Sequence, residues 1–210
     1  MNIVLIGIQG CGKGTLVAGL ENHVKFSLVS MGQLFRDEIA TGSSLGQEIK
    51  KIIDRGELVG MDIVMSTVKK KLETDTNAIK IFDGFPRNLD QANALDTITK
   101  VDLVIELNLS KEIAVEWLLN LLTCADCGYI TKRSAVSSNV CPECNGELVA
   151  RSDDTIESIE KRFAIFDNVT YPLLEKYRKQ GVRVEKIESI DAEDTLNTVL
   201  KVLNEYNYQK

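Results

Sequence analysis

The chain is poor in the residues that several kinds of function require. Its 210 residues hold one histidine, His23, which lies outside every motif described below, so histidine acid–base chemistry is not expected. Cations are not in excess: 25 Lys and Arg stand against 31 Asp and Glu, for a formal charge of −6 and a pI near 5.0. A nucleic-acid surface needs clustered cations to neutralise phosphates, and this balance argues against one. Long apolar runs are missing as well. The first, Ile3-Val4-Leu5-Ile6, is short and follows no basic segment, and nothing later approaches the length of a bilayer span. Repeats and low-complexity tracts are absent. The expectation is a soluble, cytoplasmic protein with no nucleic-acid or membrane partner. Its length suits one substantial core with excursions, a single domain over residues 1–210.

What is present begins where the first apolar run ends. Gly7-Ile8-Gln9-Gly10-Cys11-Gly12-Lys13-Gly14-Thr15 follows that run and opens a helical pattern. Glycines in this setting let successive backbone N–H groups turn inward around an anion, while Lys13 adds a point charge and the helix N-terminus its dipole. Such a loop holds nucleotide phosphates. The strict pattern places Ser or Thr directly after the Lys to hold magnesium. Here Gly14 takes that place and the hydroxyl waits until Thr15, so the metal must lean on water and on another carboxylate. Cys11 reads as a small side chain inside the loop.

Strand-like runs alternate with helical patterns, the signature of βαβ units and a parallel sheet covered on both faces. Five strands are predicted, at residues 2–6, 25–29, 78–82, 103–109 and 182–187, with helices at 13–21, 89–97, 111–122 and 192–206. Helical pieces at 31–41, 45–55 and 62–73 exceed what a crossover needs and predict a helical insertion. From 124 to 151 Gly, Ser, Asn and Pro are interspersed and periodicity fades, which predicts a second insertion. In open parallel sheets ligands bind beyond the carboxyl ends of the strands, where both insertions can close over the phosphate loop.

Five cysteines in a reducing compartment are thiols, and four of them form two close pairs, Cys124-x-x-Cys127 and Cys141-x-x-Cys144. Two such knuckles, each followed closely by Gly128 or Gly146, can enclose a tetrahedral zinc ion with every position filled. The metal is then structural Zn2+, standing in for a core that so short a segment cannot form. Thirteen residues separate the pairs, below the usual interval of about 15–20, which predicts a tight loop. A redox pair is the alternative reading.

The phosphate loop combines with Ser30-Met31-Gly32-Gln33-Leu34-Phe35-Arg36, with Asp83-Gly84-Phe85-Pro86-Arg87 and Gln91, and with Arg151-Ser152-Asp153-Asp154 and Arg162. In this order and spacing the chain resembles an adenylate kinase of the long type, with a zinc-binding lid, along essentially its whole length. The resemblance implies a P-loop NTPase-type α/β fold: a five-stranded parallel sheet, an NMP-binding insertion at 30–59 and a zinc-stapled lid at 121–152. It implies reversible phosphoryl transfer from ATP to AMP, giving two ADP, with Mg2+ accompanying ATP and a monomeric chain. By the same resemblance Gly10, Cys11, Gly12, Lys13, Gly14 and Thr15 bind ATP. Met31, Arg36, Glu57, Leu58, Val59, Gly84, Phe85, Pro86, Arg87, Gln91, Arg151 and Arg162 line the AMP site. Lys13, Asp83, Arg87, Arg151 and Arg162 carry catalysis, with Asp83 orienting magnesium through water. Guanidinium groups suit this work because their planar fork donates two parallel charge-assisted bonds to phosphate.

Plainer readings stand beside these. Isolated arginines are usually surface charges. Asn88-Leu89-Asp90-Gln91 and Asp154-Thr155-Ile156-Glu157 read as capping boxes, and Ser30 with Gln33 as another. The chain also departs from the family pattern. Where relatives carry arginines on the helix leading into the lid, Trp117 and Leu121 stand; spaced by four on a predicted helix, they read as one apolar face. Met31 replaces a Thr, and Gln33 an Asp. Lys132 and Arg133 in the lid are candidates to reach the phosphates instead. Three alternatives follow: a degenerate kinase that binds nucleotide without turnover, a kinase for another nucleoside monophosphate, and a nucleic-acid-binding zinc ribbon, which Asp126, Glu143 and Glu147 beside the cysteines oppose.

Overall fold

A computed structural model describes residues 1–74, 76–150 and 155–208. The elements run β1 (Asn2–Ile6), α1 (Lys13–Glu21), β2 (Ser27–Ser30), α2 (Met31–Ala40), α3 (Ser44–Asp54), α4 (Met61–Thr74), β3 (Lys80–Asp83), α5 (Leu89–Asp96), β4 (Leu103–Asn108) and α6 (Lys111–Leu119). Three short strands follow, β5 (Leu121–Cys124), β6 (Ile130–Lys132) and β7 (Leu148–Val149), then α7 (Ile156–Ile165), a π-helical turn (Phe166–Thr170), α8 (Pro172–Lys179), β8 (Arg183–Glu188) and α9 (Ala192–Tyr208).

Ile3, Val4, Leu5 and Ile6 are all buried because their strand lies at the middle of a parallel sheet ordered β2-β3-β1-β4-β8. Alternate side chains reach opposite layers. Ile3 and Leu5 pack with Leu16 and Leu20 of α1 and with Val199 and Leu203 of α9. Val4 and Ile6 pack with Phe82, Leu95, Leu173 and Tyr177 on the other face. A continuous apolar strand is what burial on both faces demands.

The topology places the site. After β1 the chain crosses to β2 on one side, and after β3 it crosses to β4 on the other. The loops leaving β1 and β3 therefore part at a switch point, opening a crevice beyond the strand ends. Their register is direct: Leu5 stands beside Asp83, which also neighbours Ser30 of β2. The glycine loop, the Asp83 motif and the start of α2 meet there.

All five predicted sheet strands form, β1 and α1 with the predicted bounds. The helix predicted over 111–122 stops at Leu119. Asn120 ends it, its Nδ2 donating to the Glu116 carbonyl at 2.8 Å, and Leu121 opens β5 instead. Trp117 and Leu121 therefore do not share a helical face. Both still pack against the core beneath the phosphate loop. The second insertion, where periodicity fades, carries with Leu121–Cys124 a three-stranded antiparallel sheet ordered β6-β5-β7. Among the described residues no helix is long and apolar enough to cross a membrane.

Candidate active site

The phosphate loop owes its path to three glycines. Gly10 (φ 84°) and Gly12 (φ 88°) occupy the left-handed region, where side chains are strained. A Cβ on Gly7 would lie 2.5 Å from Cys11 Sγ and 2.7 Å from the Leu107 carbonyl oxygen. Cys11 is fully buried, which explains the small side chain expected there. No side chain caps α1, and its first intrahelical bond runs from Leu16 N–H to the Gly12 carbonyl at 2.9 Å. The N–H groups of Lys13, Gly14 and Thr15 thus lack intrahelical partners and are available to an anion. Lys13 spans the loop, its Nζ donating to the carbonyls of Gly7 at 2.8 Å and Ile8 at 3.0 Å.

Opposite, Asp83 ends β3 half-buried and Gly84 turns at φ 72°. Phe85 and Pro86 are buried, the Phe85 ring 6.4 Å from that of Phe82, so they fix the turn from inside. Arg87 folds back on it, Nε donating to the Gly84 carbonyl at 2.9 Å. Its guanidinium is drawn below the usual arginine value, chiefly by desolvation, with the like charge of Arg162 acting the same way and Asp83 opposing. The residue as a whole keeps an exposed surface, so the group remains a cation. These influences place Asp83, Arg87 and Arg162 in one neighbourhood. Arg162, on α7, donates to Gln9 Oε1 of the phosphate loop at 2.8 Å.

Gln91 takes part in the capping arrangement at the start of α5. Its Oε1 accepts from the Arg87 N–H at 2.7 Å, and its own N–H donates to Asn88 Oδ1 at 2.8 Å. These bonds occupy the carbonyl end of the side chain, and among the described residues Nε2 makes none. Of the other two expected capping boxes, that of Ser30 fails, and that of Asp154 turns on a residue outside the described ones. Ser30 makes no side-chain cap, and the Gln33 side chain is engaged elsewhere, accepting from Arg36 at 2.8 Å and donating to Asp37 at 2.7 Å. The α7 cap is Thr155, accepting from Ser158 N–H at 3.2 Å, so Glu157 is not its partner.

Arg36 is exposed on α2, and Met31 at the start of that helix is buried in the core with Phe35, Val59 and Phe85. Glu57, Leu58 and Val59 form the turn between α3 and α4. The carboxyl of Glu57 is held below its usual range by a hydrogen bond from Arg55, whose Nε donates at 3.0 Å. Val59 is buried. Arg151, with residues 152–154, lies outside the described residues.

Sequence reasoning missed the ties that assemble the site. Gln9 and Arg162 are 153 residues apart; Thr170 Oγ1 donates to the Arg87 carbonyl across 83 residues at 2.8 Å. Lys161 donates to the Arg55 carbonyl at 2.6 Å. No local spacing signals any of them.

The four lid cysteines converge as expected, their sulfurs all within 4.8 Å of one another. Cys124 and Cys144 are 3.4 Å apart, Cys127 and Cys141 3.6 Å, close to the edge of about 3.8 Å implied by zinc–sulfur bonds of about 2.3 Å in a tetrahedron. The two knuckles share one hydrogen-bond pattern. Cys124 N–H donates to the Tyr129 carbonyl and Gly128 N–H to that of Cys124; Cys141 N–H donates to the Gly146 carbonyl and Asn145 N–H to that of Cys141. In the second knuckle Asn145 (φ 61°) holds the left-handed position that Gly128 holds in the first. Gly146 serves a different need: a Cβ there would lie 2.2 Å from Asp126 Oδ2. Backbone N–H groups, first that of Cys127, draw the Cys124 thiol down to about 7. The N–H of Gly146 favours the Cys144 thiolate, yet the neighbouring Cys127 and Cys124 sulfurs push that thiol up to about 12. Four sulfurs this close can hold a metal ion, and this donor set suits zinc.

The family model described as adenylate kinase matches residues 5–182. An adenylate kinase of Treponema denticola is 37% identical over 204 residues, covering 95% of this chain and 96% of that protein. One from Thermosipho melanesiensis is 34% identical, covering 97% and 99%, and one from Archaeoglobus fulgidus 32% identical, covering 97% and 98%.

Proposed function

This chain belongs to the adenylate kinase family and catalyses reversible phosphoryl transfer from ATP to AMP, giving two ADP; we propose that the crevice between the β1 and β3 loops is where the two nucleotides meet. The observation that carries the assignment is the Arg162–Gln9 bond, which ties α7 to the phosphate loop and brings cations from separate segments around one space.

Lys13 and the N–H groups of Lys13, Gly14 and Thr15, in the stretch from Gly10 to Thr15, hold the ATP phosphates. Arg36 and Arg87 clamp the AMP phosphate, and Arg162 spreads charge from the transferring phosphoryl group. Arg151 is assigned the same role from its motif alone. The turn of Glu57, Leu58 and Val59, with Met31 beneath it, and the free amide end of Gln91 border the AMP base; Gly84, Phe85 and Pro86 hold Arg87 in place. Rate enhancement comes from holding donor and acceptor in line, neutralising charge and excluding water, without a side-chain nucleophile.

Adenylate kinases use Mg2+ with ATP, where the ion neutralises charge across the phosphates. Asp83, a half-buried carboxylate beside the loop, and the exposed hydroxyl of Thr15 are hard oxygen donors of the kind it takes through water. Residues 30–59 form the AMP-binding insertion and 121–152 the lid, stapled by structural Zn2+ on the four cysteines. The chain works as a monomer, as the resemblance to the family implies, and in the cytoplasm, where thiols stay free for zinc.

Measured as ADP formation from ATP with AMP, GMP, CMP or UMP as acceptor, AMP gives the highest kcat/KM. Nucleotide binding without turnover, or preference for another monophosphate, contradicts the reading.

A further inference from the structure

Trp117 lies on α6 one residue before Leu118, and α6 is built against the phosphate loop. A Cβ on Gly10 would lie 2.9 Å from Leu118 Cγ and 3.0 Å from the Ala114 carbonyl oxygen. The Trp117 ring is half-buried against the core beneath that loop. Over the ring stands Lys132, its Nζ 4.8 Å from the centroid. Lys132 is exposed on β6, opposite Leu121 in the β5–β6 register, and the hairpin is pinned where Arg133 N–H donates to the Asn120 carbonyl at 2.7 Å. Among the described residues no carboxylate pairs with Lys132. Neither Trp117 nor Leu121 can donate to a phosphate.

We propose that Lys132, parked on the Trp117 ring, is the cation with which the lid grips the ATP phosphates. A cation on an exposed aromatic face is held weakly, whereas a charge-assisted bond to phosphate is strong. The ring, on a helix packed against the phosphate loop, thus holds an ammonium that no described carboxylate pairs, and gives it up when ATP arrives. A carboxylate partner would hold the lysine away from phosphate; an aromatic one does not. Among the described residues the lid's other nearby cation, Arg133, is anchored through its backbone and touches no ring.

This inference rests on the assignment of the phosphate loop to ATP. It is tested by equilibrium dialysis of ATP and of AMP against the zinc-loaded wild type, Lys132→Met, Lys132→Arg and Arg133→Met. ATP affinity is expected to fall about tenfold in Lys132→Met, as for loss of a bond to a charged group, while AMP affinity stays within twofold and Lys132→Arg within threefold of wild type. A loss of threefold or more confined to ATP and to Lys132→Met supports the proposal. A smaller loss, an equal loss for AMP, or an equal loss in Arg133→Met overturns it. Should Lys132→Met fail to hold one zinc per chain, Lys132→Gln is judged by the same criteria. Trp117 is the chain's only tryptophan, so its emission reports the ring directly: ATP shifts it as the ammonium leaves, and an emission insensitive to ATP also overturns the proposal. Absence of phosphoryl transfer in the wild type would instead defeat the kinase reading and leave these affinities interpretable.

Discussion

Replacing Lys13 with Met lowers kcat for ADP formation by about 10²–10³, the usual cost of one preorganised donor at a developing charge. The side chain starts from a defined place, donating to the Gly7 and Ile8 carbonyls across the mouth of the loop. Its ammonium needs only to exchange those carbonyls for phosphate oxygens. The N–H groups at the start of α1 remain in the variant, so ATP still binds and the loss falls on turnover more than on affinity. Stopped or steady-state assays at saturating ATP and AMP measure it directly. A variant retaining more than a tenth of wild-type kcat contradicts the role given to Lys13.

Removing zinc unfolds the lid and leaves the sheet intact. The lid's own core consists of Leu122, Cys124, Cys141 and Leu148 with Tyr129 and Val136 against it, too little apolar surface to order its turns and short strands. The metal supplies the difference, on the order of 10–16 kcal/mol for structural zinc near neutral pH. Chelation, or Cys141→Ser at a fully buried ligand, therefore abolishes hydrogen-exchange protection over β5, β6 and β7. Protection in β1, β3 and β4 persists, because among the described residues only Leu121 of the lid packs against their layers of side chains. Zinc binding competes with protons for the thiols, so the same loss appears as pH falls. Lid strands that stay protected without metal would sink the structural role.

The central sheet was legible because parallel strands buried on both faces read as unbroken apolar runs: Ile3 to Ile6 needs no tertiary information. The lid strands were not. Each is two to four residues long and draws its order from a metal and from cross-strand partners, so no period has room to appear. The helix-to-strand change at Asn120 was missed for a related reason. Leu118, Leu119, Leu121 and Leu122 suit a helix as well as a strand, and pairing with β6 and β7 decides between them. At the site, the glycine loop and the Asp83 motif are runs of consecutive residues and so are legible as candidates in the sequence. Gln9 with Arg162 and Trp117 with Lys132 are made by the fold, and only the assembled chain brings each pair together. At Gln91 the structure shows the cap, through the Oε1 end of the amide.

The account's central claim is that ATP and AMP lie end to end in one crevice of one chain. Titration with two adenosines joined 5′ to 5′ by an oligophosphate measures this most directly. The account predicts one ligand per chain, bound more tightly than either nucleotide alone because one molecule fills both sites, and competitive against both ATP and AMP. A ligand that competes with ATP while leaving AMP binding unchanged, or that displaces neither, contradicts it.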